Sequence, residues 1–368
     1  MKLKIVNVVG ARPNFMKMAP LMMEYRRHPD EFEPKLVHTG QHYDDNMSTL
    51  FFEQLHLPKP DVYLGIGSGS HSEQTAKVLI EMEKLLTAEP PHLLVVVGDI
   101  NSTMAATIAA AKLCIPVAHV EAGLRSFDRT MPEEINRLVT DALSDYCFIT
   151  SQDADENLRR EGVAPEKIFF VGNVMIDTLL QLKDVALKSD ISQKLGVHGP
   201  YGFVTLHRPS NVDDKEVFAE ILAALDTVQK DLLLVFPVHP RTVNRLKQFG
   251  FWDDLQGRKN LKLTDPVGYL DSLCLMANAK LVLTDSGGVQ EETTVLGVPC
   301  LTIRNNTERP VTITEGTNTL VGTSQSKIVM EARKIMAGNG KRGCAPKFWD
   351  GKAAERIVKC LIEHPPKR

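Results

Sequence analysis

Short, continuously apolar runs alternate with helical patterns along the whole sequence, and this alternation narrows the choice of fold more than any other feature. The runs are Leu3–Val9, Lys35–Thr39, Leu93–Val97, Val117–Val120, Tyr146–Ile149 and Ile168–Val171. A second series follows at Gly202–Leu206, Leu232–Phe236, Leu261–Leu263, Leu281–Thr284, Pro299–Ile303 and Thr319–Val321. A half-buried strand alternates apolar and polar residues, whereas a parallel strand covered on both faces reads as an unbroken apolar run. Helical stretches between such runs are the βαβ signature, so the expected class is α/β with doubly wound parallel sheets. The length of 368 residues suits two domains. The polar segment 183–200, ending in Gly199-Pro200, is the best candidate linker between two halves of similar size.

Composition excludes several partners. Hydrophobic residues make up 43% and charged residues 24%, with a net charge of −3 and no basic run. Neither nucleic acid nor an anionic membrane surface is signalled. No apolar stretch approaches the ~20 residues of a membrane-spanning helix, and MKLKIVNVVGARP reads as a first strand rather than a signal peptide. The six cysteines lack metal or CxxC spacing and mostly lie in apolar runs, as expected of reduced, buried thiols in a cytoplasmic protein.

In doubly wound folds, ligands bind beyond the carboxyl ends of the strands, and those positions are where this chain concentrates its polar groups. The stretch Lys280–Cys300 predicts a strand, a turn at Asp285-Ser286-Gly287-Gly288 and a helix over Val289–Leu296. Such a turn aims unpaired backbone N–H groups and the positive end of the helix dipole at one point, which suits an anion. Glu291 and Glu292 are then expected in the first helical turn, within reach of a sugar hydroxyl. After the first strand, Gly10-Ala11-Arg12-Pro13 opens an apolar helix in which Lys17 is the only charge of its turn. Lys17 is either a snorkelling lysine or, with Arg12, an anion clamp. Pro20 should kink this helix.

Leu93–Val97 ends in Gly98-Asp99, Val117–Val120 ends in Glu121, and Met131-Pro132-Glu133-Glu134-Ile135-Asn136-Arg137 opens a helix. Its apolar stripe is Ile135, Leu138, Val139 and Ala142, with Glu133 and Arg137 opposite at i and i+4. That pair alone reads as an exposed salt bridge. In the company of Asp99 and Glu121 it reads as acid–base machinery. In the second half, His207 and His239 each end a strand and are followed closely by an arginine, and Arg304–Pro310 follows a third. The run Gly65-Ile66-Gly67-Ser68-Gly69 lacks the third glycine and the distal acid of a dinucleotide fingerprint and is read as a loop. Asp153 and Asp155 suit a helix start better than a metal site.

Taken in order, GARPNFMKMAPL, TGQHYDDNMS, GDINSTMAA, HVEAGLRS, MPEEINR, GNVMIDTL, TLHRPSNVD, PVHPRT and TDSGGVQEETTVLGVPCLTIRNNTERP closely resemble the non-hydrolysing UDP-N-acetylglucosamine 2-epimerases, over about residues 2–323. The resemblance implies a GT-B-like fold of two Rossmann-like domains with a cleft between them. Residues 1–175 would form the first domain, completed by a C-terminal helix at 353–368, and residues 176–352 the second, UDP-binding one. It also implies a cytoplasmic homodimer, free of metal and cofactor, that interconverts UDP-GlcNAc and UDP-ManNAc for cell-surface polysaccharide. Arg12, His207, Ser286, Gly287, Gly288, Glu292 and Arg309 correspond to UDP-binding positions, and Lys17, Asp99, Glu121, Glu133, Arg137 and His207 to catalytic ones. Gln41, His42 and His239 fit a second nucleotide-sugar pocket found in bacterial members. Where many members have His-Arg-x-Glu-Asn this chain has His207-Arg208-Pro209-Ser210-Asn211, so that glutamate's role is lost or moved. Val311 stands where bacterial members often carry glutamate.

Chemistry points the same way. C2 of the sugar bears an acetamido group and no adjacent carbonyl, so its proton cannot leave through an enolate, and no NAD motif signals an oxidative route. Elimination of UDP to 2-acetamidoglucal, followed by re-addition, is the remaining path. Three rivals stay open: a hydrolysing epimerase, a GT-B glycosyltransferase and a non-catalytic nucleotide-sugar sensor.

Overall fold

The computed structural model describes residues 2–40, 55 and 57–366, with Arg12 described by its backbone alone. The chain forms two compact units, Met1–Thr178 with Lys347–Arg368, and Leu179–Pro346. Among the described residues of unit 1 the order is β1 (Leu3–Val9), α1 (Arg12–Arg27), β2 (Phe32–His38), β3 (Val62–Tyr63), α2 (His71–Ala88), β4 (Leu93–Val97), α3 (Asn101–Lys112), β5 (Val117–Ala122), α4 (Pro132–Leu143), β6 (Tyr146–Ile149), α5 (Gln152–Arg160) and β7 (Ile168–Phe170). Helix α6 (Val174–Ala186) starts in unit 1 and runs into unit 2. The seven strands are all parallel in the order β3-β2-β1-β4-β5-β6-β7.

Unit 2 continues with α7 (Ile191–Lys194), β8 (Tyr201–Thr205), α8 (Pro209–Val212), α9 (Lys215–Val228), β9 (Leu233–Pro237), α10 (Pro240–Phe249), α11 (Trp252–Gln256), β10 (Leu261–Thr264), α12 (Tyr269–Ala277), β11 (Leu281–Thr284), α13 (Gly287–Leu296), β12 (Cys300–Thr302), α14 (Val311–Thr314), β13 (Asn318–Leu320) and α15 (Gln325–Met336). Its parallel sheet runs β10-β9-β8-β11-β12-β13. The strand order reverses between β1 and β4 in unit 1 and between β8 and β11 in unit 2. Those two switch points are where the connecting loops part and a ligand can enter.

The cores follow from the sequence pattern. Leu94 and Val96 of β4 pack with Ala105, Ala106, Ala109 and Ala110 of α3, whose small side chains let the helix lie close, and with Val78, Met82 and Leu86 of α2. In unit 2, Phe218, Ile221 and Leu225 of α9 cover Leu234, Phe236, Leu281 and Leu283 of the sheet. Helix α16 (Ala353–Glu363) belongs to unit 1, where it packs on α1. Asp177 accepts hydrogen bonds from Ala353 N (3.1 Å) and Ala354 N (2.8 Å), and Trp349 Nε1 donates to Thr150 O at 2.9 Å.

Three expectations need correction. Segment 183–200, read as a linker, contains the end of α6 and all of α7, and the boundary between units falls inside α6. Strand β3, two residues long, gave no apolar run to recognise. Helix α13 begins at Gly287, two residues earlier than expected, which moves Glu291 and Glu292 into its second turn.

Helix α1 passes through Pro20 without ending. A proline has no N–H to offer the carbonyl four residues back, which here is Met16. The Thr178 hydroxyl donates to Met16 O instead, at 2.5 Å in a buried setting. Replacing Thr178 by the isosteric valine should therefore lower unfolding free energy by roughly 1–3 kcal/mol, the penalty of an orphaned buried carbonyl. A urea-unfolding double-mutant cycle with Pro20→Ala checks this. The Thr178→Val penalty should shrink in the alanine background, and equal penalties in both backgrounds would refute the substitution of hydroxyl for N–H.

Candidate active site

Unit 1 builds its site around Gly98, directly after β4. Gly98 adopts φ +67°, donates its N–H to Val120 O at 3.1 Å, and leaves no side chain above the turn. A Cβ there would lie 2.9 Å from Lys17 Nζ and 3.6 Å from Glu121 Oε2. Lys17 and Glu121 form a buried ion pair in that space, so Lys17 is not a snorkelling residue. Asn14, one turn before Lys17, donates to Val97 O at 2.9 Å and accepts from Gly10 N (3.3 Å) and Ala11 N (3.1 Å). The ends of β1 and β4 are thereby held together beneath α1. Glu121 itself has φ +75° and sits where the β5–β6 register slips between Val120 and Ala122. A left-handed glutamate in a bulge is a strained placement, and such placements cluster at functional sites.

Asp99 pairs with Arg137 at 2.5 Å, and Asn136 Nδ2 donates to the Asp99 carbonyl at 2.8 Å. Arg137 is 1% exposed and also grips Glu134 through Nε (3.0 Å) and Nη2 (2.5 Å). Glu134 further accepts from Ser126 N and Oγ, both 3.0 Å, and from Phe127 N at 2.8 Å. Burial pulls the Glu134 carboxyl upward, but the Ser126 and Phe127 N–H groups and Arg137 outweigh it and hold it below the usual range. The expected Glu133–Arg137 pairing is corrected: Glu133 is half-exposed in the first turn of α4, and the acids that Arg137 meets are Asp99 and Glu134. The helix is also turned about. Its polar side, Glu134, Asn136, Arg137, Thr140 and Asp141, is buried, while Ile135 (41%) and Leu143 (40%) are exposed. The charged members, Glu134, Arg137 and Asp141, are all paired, so this orientation leaves no orphaned charge inside.

In unit 2, the hub at the β8/β11 switch is Asp285, which is fully buried. It accepts from His207 N (2.9 Å), Arg208 N (2.9 Å) and Asn211 Nδ2 (3.3 Å), and faces His207 Nδ1 at 3.0 Å. Burial works against its charge, but His207 and these N–H groups hold Asp285 below the usual carboxylate range. Ser210 is exposed, while Asn211 stays buried and also donates to Ile303 O at 2.8 Å. The His207 and His239 rings lie 5.7 Å apart, and His239 caps α10 by accepting from Arg241 N at 3.2 Å.

Ser286 occupies the N-cap of α13, followed by Gly287 and Gly288, and makes no side-chain cap of its own helix. Arg309 packs against Gly287 and pairs with Glu291 and Glu308, both at 2.6 Å. Arg304 joins Glu308 at 2.8 Å. Glu292 is buried and accepts from Tyr269 Oη at 2.7 Å. Burial pushes its carboxyl up to about 7, against the Tyr269 bond and with the help of Glu291. Gln41, His42 and the Arg12 side chain lie outside the described residues. Among the described residues no cluster of three or more His, Cys, Asp or Glu is arranged to hold a metal ion.

The profile of the UDP-N-acetylglucosamine 2-epimerase family matches residues 23–362. The Methanocaldococcus jannaschii UDP-N-acetylglucosamine 2-epimerase is 46% identical over 98% of this chain and 99% of its own. This chain belongs to that family. The crystal structure of the M. jannaschii UDP-GlcNAc 2-epimerase in complex with UDP-GlcNAc and UDP aligns with TM-score 0.91, covering 98% of this chain and 100% of the other. A UDP-2,3-diacetamido-2,3-dideoxy-D-glucuronate 2-epimerase from Pseudomonas aeruginosa is 41% identical over 98% of this chain and 100% of its own.

In this member of the UDP-N-acetylglucosamine 2-epimerase family, the sequence pattern points to the strand ends but not to the groups that support them. Asn14, Glu134 and Tyr269 drew no notice, and Asp285 was read only as part of a turn. An acid directly after an apolar run, as with Asp285, was the available signal.

The raised Glu292 carboxyl has a testable consequence. The folded protein holds this proton more tightly than the unfolded chain, so its contribution to stability is present below pH ~4.5 and is lost as pH rises through about 7. Glu292→Gln removes that dependence. Between pH 4.5 and 8 the stability of the variant relative to wild type should rise by roughly 2–3 kcal/mol, read by urea unfolding. A constant difference across that range would show that Glu292 titrates normally.

Proposed function

We propose that this protein interconverts UDP-GlcNAc and UDP-ManNAc by elimination and re-addition of UDP, supplying ManNAc-type sugars for cell-surface polysaccharide. The observation that carries the reading is the pair of cation-bound acids, Glu121 with Lys17 near the end of β5 and Asp99 with Arg137 just after β4, beside the β1/β4 switch of a chain belonging to the epimerase family. In the forward direction one carboxylate takes the C2 proton. The C–H electron pair becomes the C1=C2 double bond of 2-acetamidoglucal, and UDP departs with the C1–O pair. A proton is then delivered to the opposite face of C2 while UDP re-forms its bond to C1. Two faces call for at least two acids, for which Asp99, Glu121 and Glu133 are the candidates. Lys17 and Arg137 hold Glu121 and Asp99 in place.

Unit 2 supplies the nucleotide site in this reading. With His207 Nδ1 turned to Asp285, Nε2 is the nitrogen assigned to the diphosphate. Within unit 2 the α13 N-terminus at Ser286, Gly287 and Gly288, with Arg309, stabilises the departing charge, and Arg12 is assigned to UDP on its sequence motif alone. Glu292 is assigned to the nucleoside, and Gln41, His42 and His239 to a second nucleotide-sugar pocket. No metal or nicotinamide is required. No helix among the described residues is long and apolar enough to cross a membrane, and Cys147, Cys274, Cys300 and Cys360 are buried free thiols, which fits action in the cytoplasm.

Purified protein with UDP-GlcNAc in deuterated water, followed by NMR, tests the chemistry. Deuterium should enter C2 of both epimers, and Glu121→Gln should slow exchange and epimerisation together by about 10²–10⁴-fold while UDP still binds. Release of free ManNAc, or a strict need for metal or NAD, would overturn the mechanism. UDP-2,3-diacetamido-2,3-dideoxyglucuronate offered in parallel locates the substrate, and turnover of that sugar alone would move it to the P. aeruginosa relative's.

The working unit in this proposal is a homodimer. The outward stripe of α4, Ile135 with Ala142 and Leu143, is exposed, as is Ile80 on α2. Between them lies a cavity of about 490 Å³ lined by Thr75, Met104, Pro132 and Ile135. An apolar face of this kind is what a second copy covers. Light scattering should give a dimeric mass for the wild type and a monomeric one for Ile135→Asp/Leu143→Asp. A monomeric wild type at micromolar concentration would dismiss the interface.

A further inference from the structure

His119 lies on β5 two residues before Glu121 and is fully buried. Its Nδ1 meets Asp141 Oδ1 at 2.6 Å and its Nε2 meets the Gly98 carbonyl at 2.8 Å. Carboxylate and carbonyl oxygens both accept, so each ring nitrogen has to carry hydrogen. Asp141 is kept ionised: burial alone would raise it, but His119 and Arg125 together hold it below the usual carboxylate range. Its second oxygen accepts from Gly123 N at 3.0 Å and meets Arg125 at 2.7 Å, and Arg125 is clamped in turn by Glu161 at 2.6 and 2.8 Å. Across the sheet His119 is in register with Val96 of β4 and Cys147 of β6. Burial pushes the Cys147 thiol well above its ordinary range, so it presents no charge to the ring.

The two ends of this chain of bonds fall on either side of the proton-transfer acids. Gly98 O belongs to the peptide that leads into Asp99, and Gly123 N closes the bulge that holds Glu121 at φ +75°. Gly98 and Gly123 both have positive φ, at +67° and +79°, and would relax with little resistance if released. Resting on the proposed epimerase reading, we infer that a doubly protonated His119, held by Asp141, is a positioning residue that sets Asp99 and Glu121 at the two faces of C2. It touches no substrate and acts through the backbone of two adjacent turns. Small displacements of catalytic groups are expensive in rate, about 10²-fold for ~1 Å, so the effect belongs in turnover rather than in binding.

The test is His119→Gln, whose amide keeps a donor toward Gly98 O but not toward Asp141, beside Asp141→Asn. In folded variants kcat for epimerisation and C2 deuterium exchange should both fall by about 10–100-fold. KM for UDP-GlcNAc and the UDP affinity by calorimetry should stay within about threefold. Wild-type ring ¹⁵N NMR under the assay conditions should show both His119 nitrogens bearing hydrogen. A folded variant with kcat unchanged, a fall confined to KM, or a ring singly protonated in the wild type would overturn the inference. If neither variant folds, the ring spectrum still decides. Wild-type protein inactive on UDP-GlcNAc with a doubly protonated ring would refute the substrate and leave the positioning pair standing, whereas active wild type with undiminished variants refutes the pair alone.

Discussion

Lys17 and Glu121 are buried together, and much of unit 1 around them is arranged so that this can happen. Moving an ammonium and a carboxylate out of water costs several kcal/mol each, which their attraction offsets only when the geometry is good and the remaining polar atoms are satisfied. The space for the pair exists because residue 98 has no side chain. The carboxylate points into it because Glu121 is left-handed within a bulge. The lysine arrives there because Asn14 fastens the start of α1 to the ends of β1 and β4. None of these features improves packing. A stability-driven design would place an apolar residue at 17 and a relaxed strand end at 121, so the arrangement is better explained by what the charges do than by what they add to folding.

The same reasoning accounts for α4. Amphipathic helices in soluble proteins normally turn the apolar stripe inward, and the sequence reading assumed this. Here Arg137, Glu134, Asn136 and Asp141 are needed beneath the strand ends, where each has partners from β4, β5 or the loop after it. The stripe is therefore left outside, with Ile135 and Leu143 exposed. Site and helix orientation are linked through one helix.

This explains which parts were legible. Strands β1, β4, β6 and β11 were located to the residue because strands covered on both faces show an unbroken apolar run. The strand ends carrying Gly98-Asp99, Glu121, His207 and Ser286 followed from that. Periodicity carries no sign, however. It locates a stripe on α4 without saying whether the stripe or its opposite is buried, and so it pairs Glu133 with Arg137 where the acids bound to Arg137 are Glu134 and Asp99. Likewise, the polar composition of 183–200 resembles a linker although its first residues continue a helix. The Thr178–Met16 bond, 162 residues apart in sequence, has no local signature at all.

The two units solve one problem in parallel ways. Each holds a buried aspartate, Asp141 in unit 1 and Asp285 in unit 2; Asp141 takes one backbone N–H and Asp285 two from a strand-end turn, and each faces a histidine Nδ1. The histidines then diverge. His119 is fully buried with Nε2 committed to a backbone carbonyl, whereas the His207 side chain is 39% exposed. An aspartate that orients a histidine can thus serve two ends, depending on where the second nitrogen points. Turned inward it fixes the main chain under the acids; left at the surface it can meet a ligand. The difference in exposure, rather than the residue type, is what separates a positioning role from a binding one.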